Sequence, residues 1–180
     1  ILYQPNSSFK ATFDTVKLAG INSFIITGTS TDFTFLNQQQ NNLQFKMGNQ
    51  TEDYFAEFNA QFNLFAINNM GFESFPPLQN SFGTISLKGN VSVLLSSKIR
   101  NINTQSPLLA FADNQGKRTA FLLGENSWKW RSQNFIDNQS FEKYDIFIDK
   151  IIQYLASNTV KKSLVVEHQL FYNSGDKIEI

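Results

Sequence analysis

The sequence predicts an α/β domain with parallel strands. Three observations carry that expectation. A strand–helix–strand pattern fills residues 1–27, an apolar strand at 119–123 turns at Gly124 into a helix, and a long amphipathic helix begins near Ser140. Strand, helix and strand at this spacing form a βαβ unit, which implies parallel pairing and a right-handed crossover. The rest of the chain is arranged around residues 118–131, where Glu125, Asn126 and Ser127 form a polar elbow between strand and helix.

Ile1-Leu2-Tyr3 is the first short strand, ended by Gln4-Pro5-Asn6. Ser7 or Ser8 caps a helix. Its Phe9, Phe13 and Val16 share one face, and Gly20 closes it. Residues 21–27 form a second strand without alternation, as expected for a strand covered on both faces. Thr31 or Asp32 caps a short helix carrying Phe33 and Leu36. Residues 37–60 are rich in amides and show no clear period, and 49–53 reads as a loop. Residues 62–67 read as a strand broken by Asn68-Asn69-Met70-Gly71. Phe75-Pro76-Pro77-Leu78 is extended or a turn.

Residues 83–87 and 91–98 are β-rich and flank Lys88-Gly89-Asn90, which has hairpin chemistry. Residues 107–112 and 117–123 flank Asp113-Asn114-Gln115-Gly116, a second hairpin signal. In the long helix, Phe141, Tyr144, Phe147, Ile148, Ile151, Ile152 and Leu155 make a broad apolar stripe. It ends within 156–158. The division is therefore a domain over 1–158 and a β segment over 159–180, which is either an added hairpin or the start of a following β domain.

Composition excludes several function classes. Lys plus Arg and Asp plus Glu each total 15, so net charge is zero and no field draws the chain to nucleic acid. The absence of cysteine removes disulfides, thiolate zinc sites and Cys nucleophiles. No apolar run reaches the roughly 20 residues of a membrane span. The chain opens at Ile1, in an apolar run, and reads as a piece of a longer polypeptide, so any membrane attachment belongs to parts outside it. Phosphate loops, dinucleotide fingerprints, His-Glu-x-x-His and calcium-loop spacing are all missing, so neither cofactor nor metal is expected. Four glycosylation triplets begin at Asn6, Asn49, Asn90 and Asn138; an Asn-rich chain produces such matches by chance.

The candidate chemistry gathers at two turns. Thr27-Gly28-Thr29-Ser30-Thr31-Asp32 lies at the carboxyl end of a strand, where open α/β sheets place ligands. Thr29 or Ser30 could act as a nucleophile, but a nucleophile needs a base, and the single histidine is His168. Helix capping accounts for the same residues. Glu125 suits acid/base work, and a negative charge at a helix start explains it equally well. Trp128 and Arg131 are spaced for a cation–π contact. Trp128 and Trp130 could line a ligand cleft, or anchor their helix to the sheet.

The pattern of residues 1–27, Pro76-Pro77-Leu78, Phe82-Gly83, Pro107-Leu108-Leu109-Ala110 and Leu122-Leu123-Gly124-Glu125-Asn126-Ser127-Trp128-Lys129-Trp130-Arg131 resembles the class I glutamine amidotransferase-like domains of bacterial cell-envelope proteins, some of which sit beside von Willebrand factor A-type modules. The resemblance implies a flavodoxin-like, three-layer α/β/α fold. That fold would have a mainly parallel sheet, an added antiparallel hairpin, and N-terminal strands missing upstream of Ile1. Its nucleophile elbow would fall at Gly28-Thr29-Ser30, with no Cys, and its later position at Gly124-Glu125-Asn126, with no His. It therefore implies the scaffold without the activity.

The expectation is a non-catalytic module of a larger bacterial envelope protein, on the periplasmic face, that contacts other modules of its parent or another envelope protein. Its contact rim would be Thr27, Gly28, Thr29, Ser30, Asp32, Glu125, Trp128, Trp130 and Arg131. The alternatives are a hydrolase using the Thr29 or Ser30 hydroxyl, and a structural spacer. Oligomeric state is not fixed by the sequence.

Overall fold

Hairpins rather than crossovers decide this sheet. The computed structural model describes residues 1–100 and 102–157. Its strands are β1 (Leu2–Tyr3), β2 (Ser23–Thr27), β3 (Leu43–Phe58), β4 (Leu78–Leu87), β5 (Val91–Ile99), β6 (Ile102–Asn114) and β7 (Lys117–Leu123). Its helices are α1 (Lys10–Leu18), α2 (Phe33–Gln39), α3 (Trp128–Asn138) and α4 (Glu142–Ala156). The strands form one sheet in the order β1-β2-β7-β6-β5-β3-β4.

Only the pairs β1–β2 and β2–β7 are parallel. The pairs β7–β6, β6–β5, β5–β3 and β3–β4 are antiparallel. The flavodoxin-like, mainly parallel expectation is therefore corrected, and the amidotransferase-like resemblance with it. A parallel pair needs a crossover of a dozen or more residues, whereas a tight turn forces antiparallel pairing. α1 supplies such a crossover, between β1 and β2. The turns at 88–90 and 115–116 carry left-handed Gly89, Gln115 and Gly116 and return the chain at once.

The sheet is strongly curled, like half a barrel. β3 does much of the bending. Residues 55–58 pair with β5, the earlier part pairs with β4, and the register shifts between Met47 and Thr51. The expected loop at 49–53 is this irregularity inside one long strand. The curl carries the start of β4 back to the end of β7. There Gln79 and Glu125 exchange two backbone hydrogen bonds, of 3.2 and 2.9 Å.

β2 and β7 are covered on both faces, as their unbroken apolar runs predict. On one face Phe24, Ala120 and Leu122 join Phe72, Phe75, Trp130, Phe147 and Ile151 in the larger core. On the other, Ile25, Phe121 and Leu123 pack with Phe13 of α1, Phe35 and Leu36 of α2, and Leu43 and Phe45 of β3. The expected strand at 62–67 is instead an irregular segment. Its Phe62 and Phe65 pack edge-on or tilted against each other and Phe111, so its apolar residues mark anchors rather than a ladder. The expected β segment at 159–180, with His168, lies outside the described residues. Among the described residues, no helix is long and apolar enough to cross a membrane.

Candidate functional site

The parallel strands β1, β2 and β7 end side by side, and the polar residues after them meet there. Gln4 follows β1 in a left-handed conformation, φ 44°, which is uncommon for a residue with a Cβ and marks a constrained position. Its backbone N–H donates to Ile26 O at 2.7 Å. Its side chain then reaches across the strand ends. Gln4 Nε2 donates to Glu125 Oε2 at 2.6 Å, and Gln4 Oε1 accepts from Ser30 N at 2.9 Å. The opposite amide orientation would set oxygen against carboxylate oxygen, so the network fixes it.

Glu125 is the hub. Thr29 Oγ1 donates to Glu125 Oε1 at 2.6 Å, and Thr29 N donates to the same oxygen at 3.2 Å. Tyr3 OH donates to Glu125 Oε2 at 3.4 Å. Partial burial resists the charged form, but these hydrogen bonds from Thr29, Gln4 and Tyr3 outweigh it and hold the carboxyl below the usual carboxylate range. The arrangement therefore contains a fixed anion whose acceptor sites are taken by the protein itself. Thr29 and Glu125 meet the distance expected of a nucleophile and its base. A carboxylate made more acidic than usual is, however, a weak acceptor for a hydroxyl proton.

Beneath the rim the residues are structural. Thr27 is fully buried, and its Oγ1 accepts from Asn80 Nδ2 at 3.0 Å, which also donates to Leu123 O at 3.3 Å. Gly28 lies so close to Gln4 and Glu125 that a Cβ there would stand 2.6 Å from Gln4 Nε2 and 3.0 Å from Glu125 Cβ. Asp32, not Thr31, caps α2 by accepting from Phe35 N at 2.8 Å. Thr31 Oγ1 instead accepts from Gly28 N.

The remaining candidates separate. Trp130 is 1% exposed, stacks edge-on to Phe72 and donates through Nε1 to Pro76 O at 2.7 Å. It is an anchor. Trp128 is 64% exposed. Arg131 does not meet it. Its guanidinium lies 3.9 Å from the Phe141 ring centroid and forms a two-pronged pair with Asp145, at 2.9 and 3.2 Å. The hydrogen bonds from Arg131 lower the Asp145 pKa.

Arg131 and Asp145 also stand at the mouth of an open groove of about 580 Å³. Phe24 and Ile26 of β2, Leu122 of β7 and Ile148 and Ile152 of α4 form its floor and wall, with Ile1 at its edge. Sequence reasoning missed this groove, along with Tyr3, Gln4 and Asn80. The groove residues read as ordinary core positions. Only the open side of the sheet beyond the two-residue β1 distinguishes them, and that depends on topology. Among the described residues, no group of three or more acidic or imidazole side chains is placed to hold a metal.

No protein-family model matches the chain, and no curated protein matches it in sequence. Among solved structures, the chain is similar to the mmIFT52 N-terminal domain. The two are 18% identical, the match covers 81% of this chain and 71% of that one, and the TM-score is 0.42.

Proposed function

We propose that the domain is a non-catalytic protein-binding module whose contact surface is the apolar groove between α4 and strands β1, β2 and β7. The observation that carries this reading is the groove itself, about 580 Å³ and open. Its edge residue Ile1 is 80% exposed and its wall residue Ile152 39%. Apolar surface gathered in one concavity with a charged rim is what a partner's apolar side chains fill. An amphipathic helix laid beside α4 would extend the helical layer over the half-buried Ile26 of β2. Arg131, Asp145 and Asp149 would meet polar residues on its flanks. The spacer alternative does not account for such a groove.

An environment-sensitive apolar dye, anilinonaphthalene sulfonate, tests the surface. Its fluorescence should rise on titration into the folded protein, and the rise should be lost when Ile148 and Ile152 are both replaced by Glu. A rise unchanged by those substitutions would move the binding surface elsewhere. One observation favours a second reading, a hydrolase: the 2.6 Å contact of Thr29 Oγ1 with Glu125 Oε1. A panel of activated esters and amides separates the two. No turnover is expected, and turnover abolished by Thr29→Ala would establish the hydrolase.

A further inference from the structure

α4 carries different chemistry on its two flanks. Asp145, Ile148, Asp149 and Ile152 face the groove described above. Lys143, Ile146, Phe147 and Lys150 repeat the same i, i+3, i+4, i+7 spacing two residues out of step, roughly 200° around the helix. They line a second concavity, of about 350 Å³, whose opposite wall is the segment 67–70. That volume is ordinary for a binding pocket. The two concavities share no lining residue.

The floor of this slot is apolar. Phe147 is buried, Ile146 is 46% exposed, and Ile67 and Met70 back onto the larger core. Its lysines stand at either end of that floor on α4. Lys143 Nζ donates to Asn138 Oδ1 at 2.6 Å, and Lys150 Nζ donates to Ala66 O. An ammonium has three donors, so each keeps some for a ligand. Among the described residues, neither lysine pairs with a carboxylate. Glu73, next along the chain from the wall, is engaged by Asn69 Nδ2 and Phe58 N instead.

We propose that this slot docks an extended acidic peptide segment of another protein. One apolar side chain of the segment sits on Ile67, Met70, Ile146 and Phe147, and a carboxylate on either side of it meets Lys143 or Lys150. Charge complementarity selects the occupant. An apolar segment without acids would leave both ammoniums without a counter-charge, and a basic one would be repelled. The spacing fits as well. In an extended Glu-x-Leu-x-Glu segment the three side chains share one face, and the two acids are about 13 Å apart. Lys143 and Lys150 are about 10.5 Å apart along α4, and the flexible lysine stem spans the difference. The slot lies on the other flank of α4 from the groove, so the two readings hold or fail separately.

The test is fluorescence anisotropy of an N-terminally labelled peptide, Ser-Glu-Ser-Leu-Ser-Glu-Ser, titrated with the intact chain. Anisotropy should rise and saturate at low ionic strength, and the affinity should fall with added salt. Lys143→Glu, at an exposed position, should weaken binding roughly tenfold or more with far-UV circular dichroism unchanged. A peptide with Ser in place of Leu should bind as weakly. Replacing Ile148 and Ile152 by Glu, which disables the groove, should leave the affinity as it was. No binding at the highest soluble protein concentration would overturn the proposal. Binding insensitive to Lys143→Glu, or lost with the groove variant, would also overturn it. Equal binding of a peptide with Gln for both Glu would give the slot to a neutral apolar segment and overturn it too.

Discussion

At the scale of single residues, Glu125 shows how a group with catalytic chemistry is used up as a fastener. Its carboxylate gathers donors from the ends of β1 and β2 while its backbone bridges to β4. Replacing it by Gln keeps the shape but turns an acceptor-only group into one with an N–H face toward donors. We expect Glu125→Gln to cost about 1–2 kcal/mol at neutral pH, from lost charge-assisted hydrogen bonds and unsatisfied partners. The pH dependence has a definite sign. The folded pKa is depressed, so the stabilisation is fully present above the ordinary carboxylate value of about 4.3 and fades as pH falls through the lower folded value. Melting curves of the two proteins should therefore converge on acidification. A constant gap from neutral to strongly acidic pH would show that the charge is not what Glu125 contributes. The sequence picked out Glu125, Thr29 and Ser30 because they follow apolar strands. It gave no sign of Gln4, since nothing in Gln4-Pro5 announces a left-handed turn that throws an amide across two strand ends.

At the scale of elements, the decisive contact is the return of β4 onto the end of β7. Local patterns were readable: the apolar stripe of α4, the two glycine-containing turns, and the doubly covered β2 and β7. One βαβ unit does not decide the whole sheet, because a single crossover fixes only β1 and β2. The hairpin signals at 88–90 and 113–116 already pointed to antiparallel neighbours. The long β3 was hidden in an amide-rich stretch, because its exposed positions include Asn49, Gln50, Thr51 and Asp53 and its register slips midway. Gly124 is where closure is tightest. A Cβ added there would stand 2.6 Å from Leu78 Cβ, and Leu78 is fully buried. Gly124→Ala should therefore cost about 1–3 kcal/mol, as overpacking does. Urea unfolding should show a lower midpoint with an unchanged slope. An unaltered midpoint would mean that β4 and β7 separate without effect on stability.

At the scale of the whole molecule, two cores share one sheet. In β7, Ala120 and Leu122 serve the larger core, while Phe121 and Leu123 serve the smaller; β2 divides Phe24 and Ile25 in the same way. Neither core can melt while these strands remain in place without exposing one face of a strand whose other face is still packed. The Asn80 clamp and the Gln79–Glu125 bridge tie the β3–β4 ribbon to the same strands. The domain should therefore unfold as one cooperative unit, as single domains of this size usually do. Fluorescence of Trp130 reports the larger core. A tryptophan placed at Phe35, in a chain whose Trp128 and Trp130 are both replaced by Phe, reports the smaller. The two probes and far-UV circular dichroism should give superimposable urea transitions once each protein is normalised to its own midpoint by circular dichroism. If the Phe35 probe changed well before the helical signal, the smaller core would be a separate unit laid over the sheet. The shared strands would then be less of a coupling element than their two-sided burial implies.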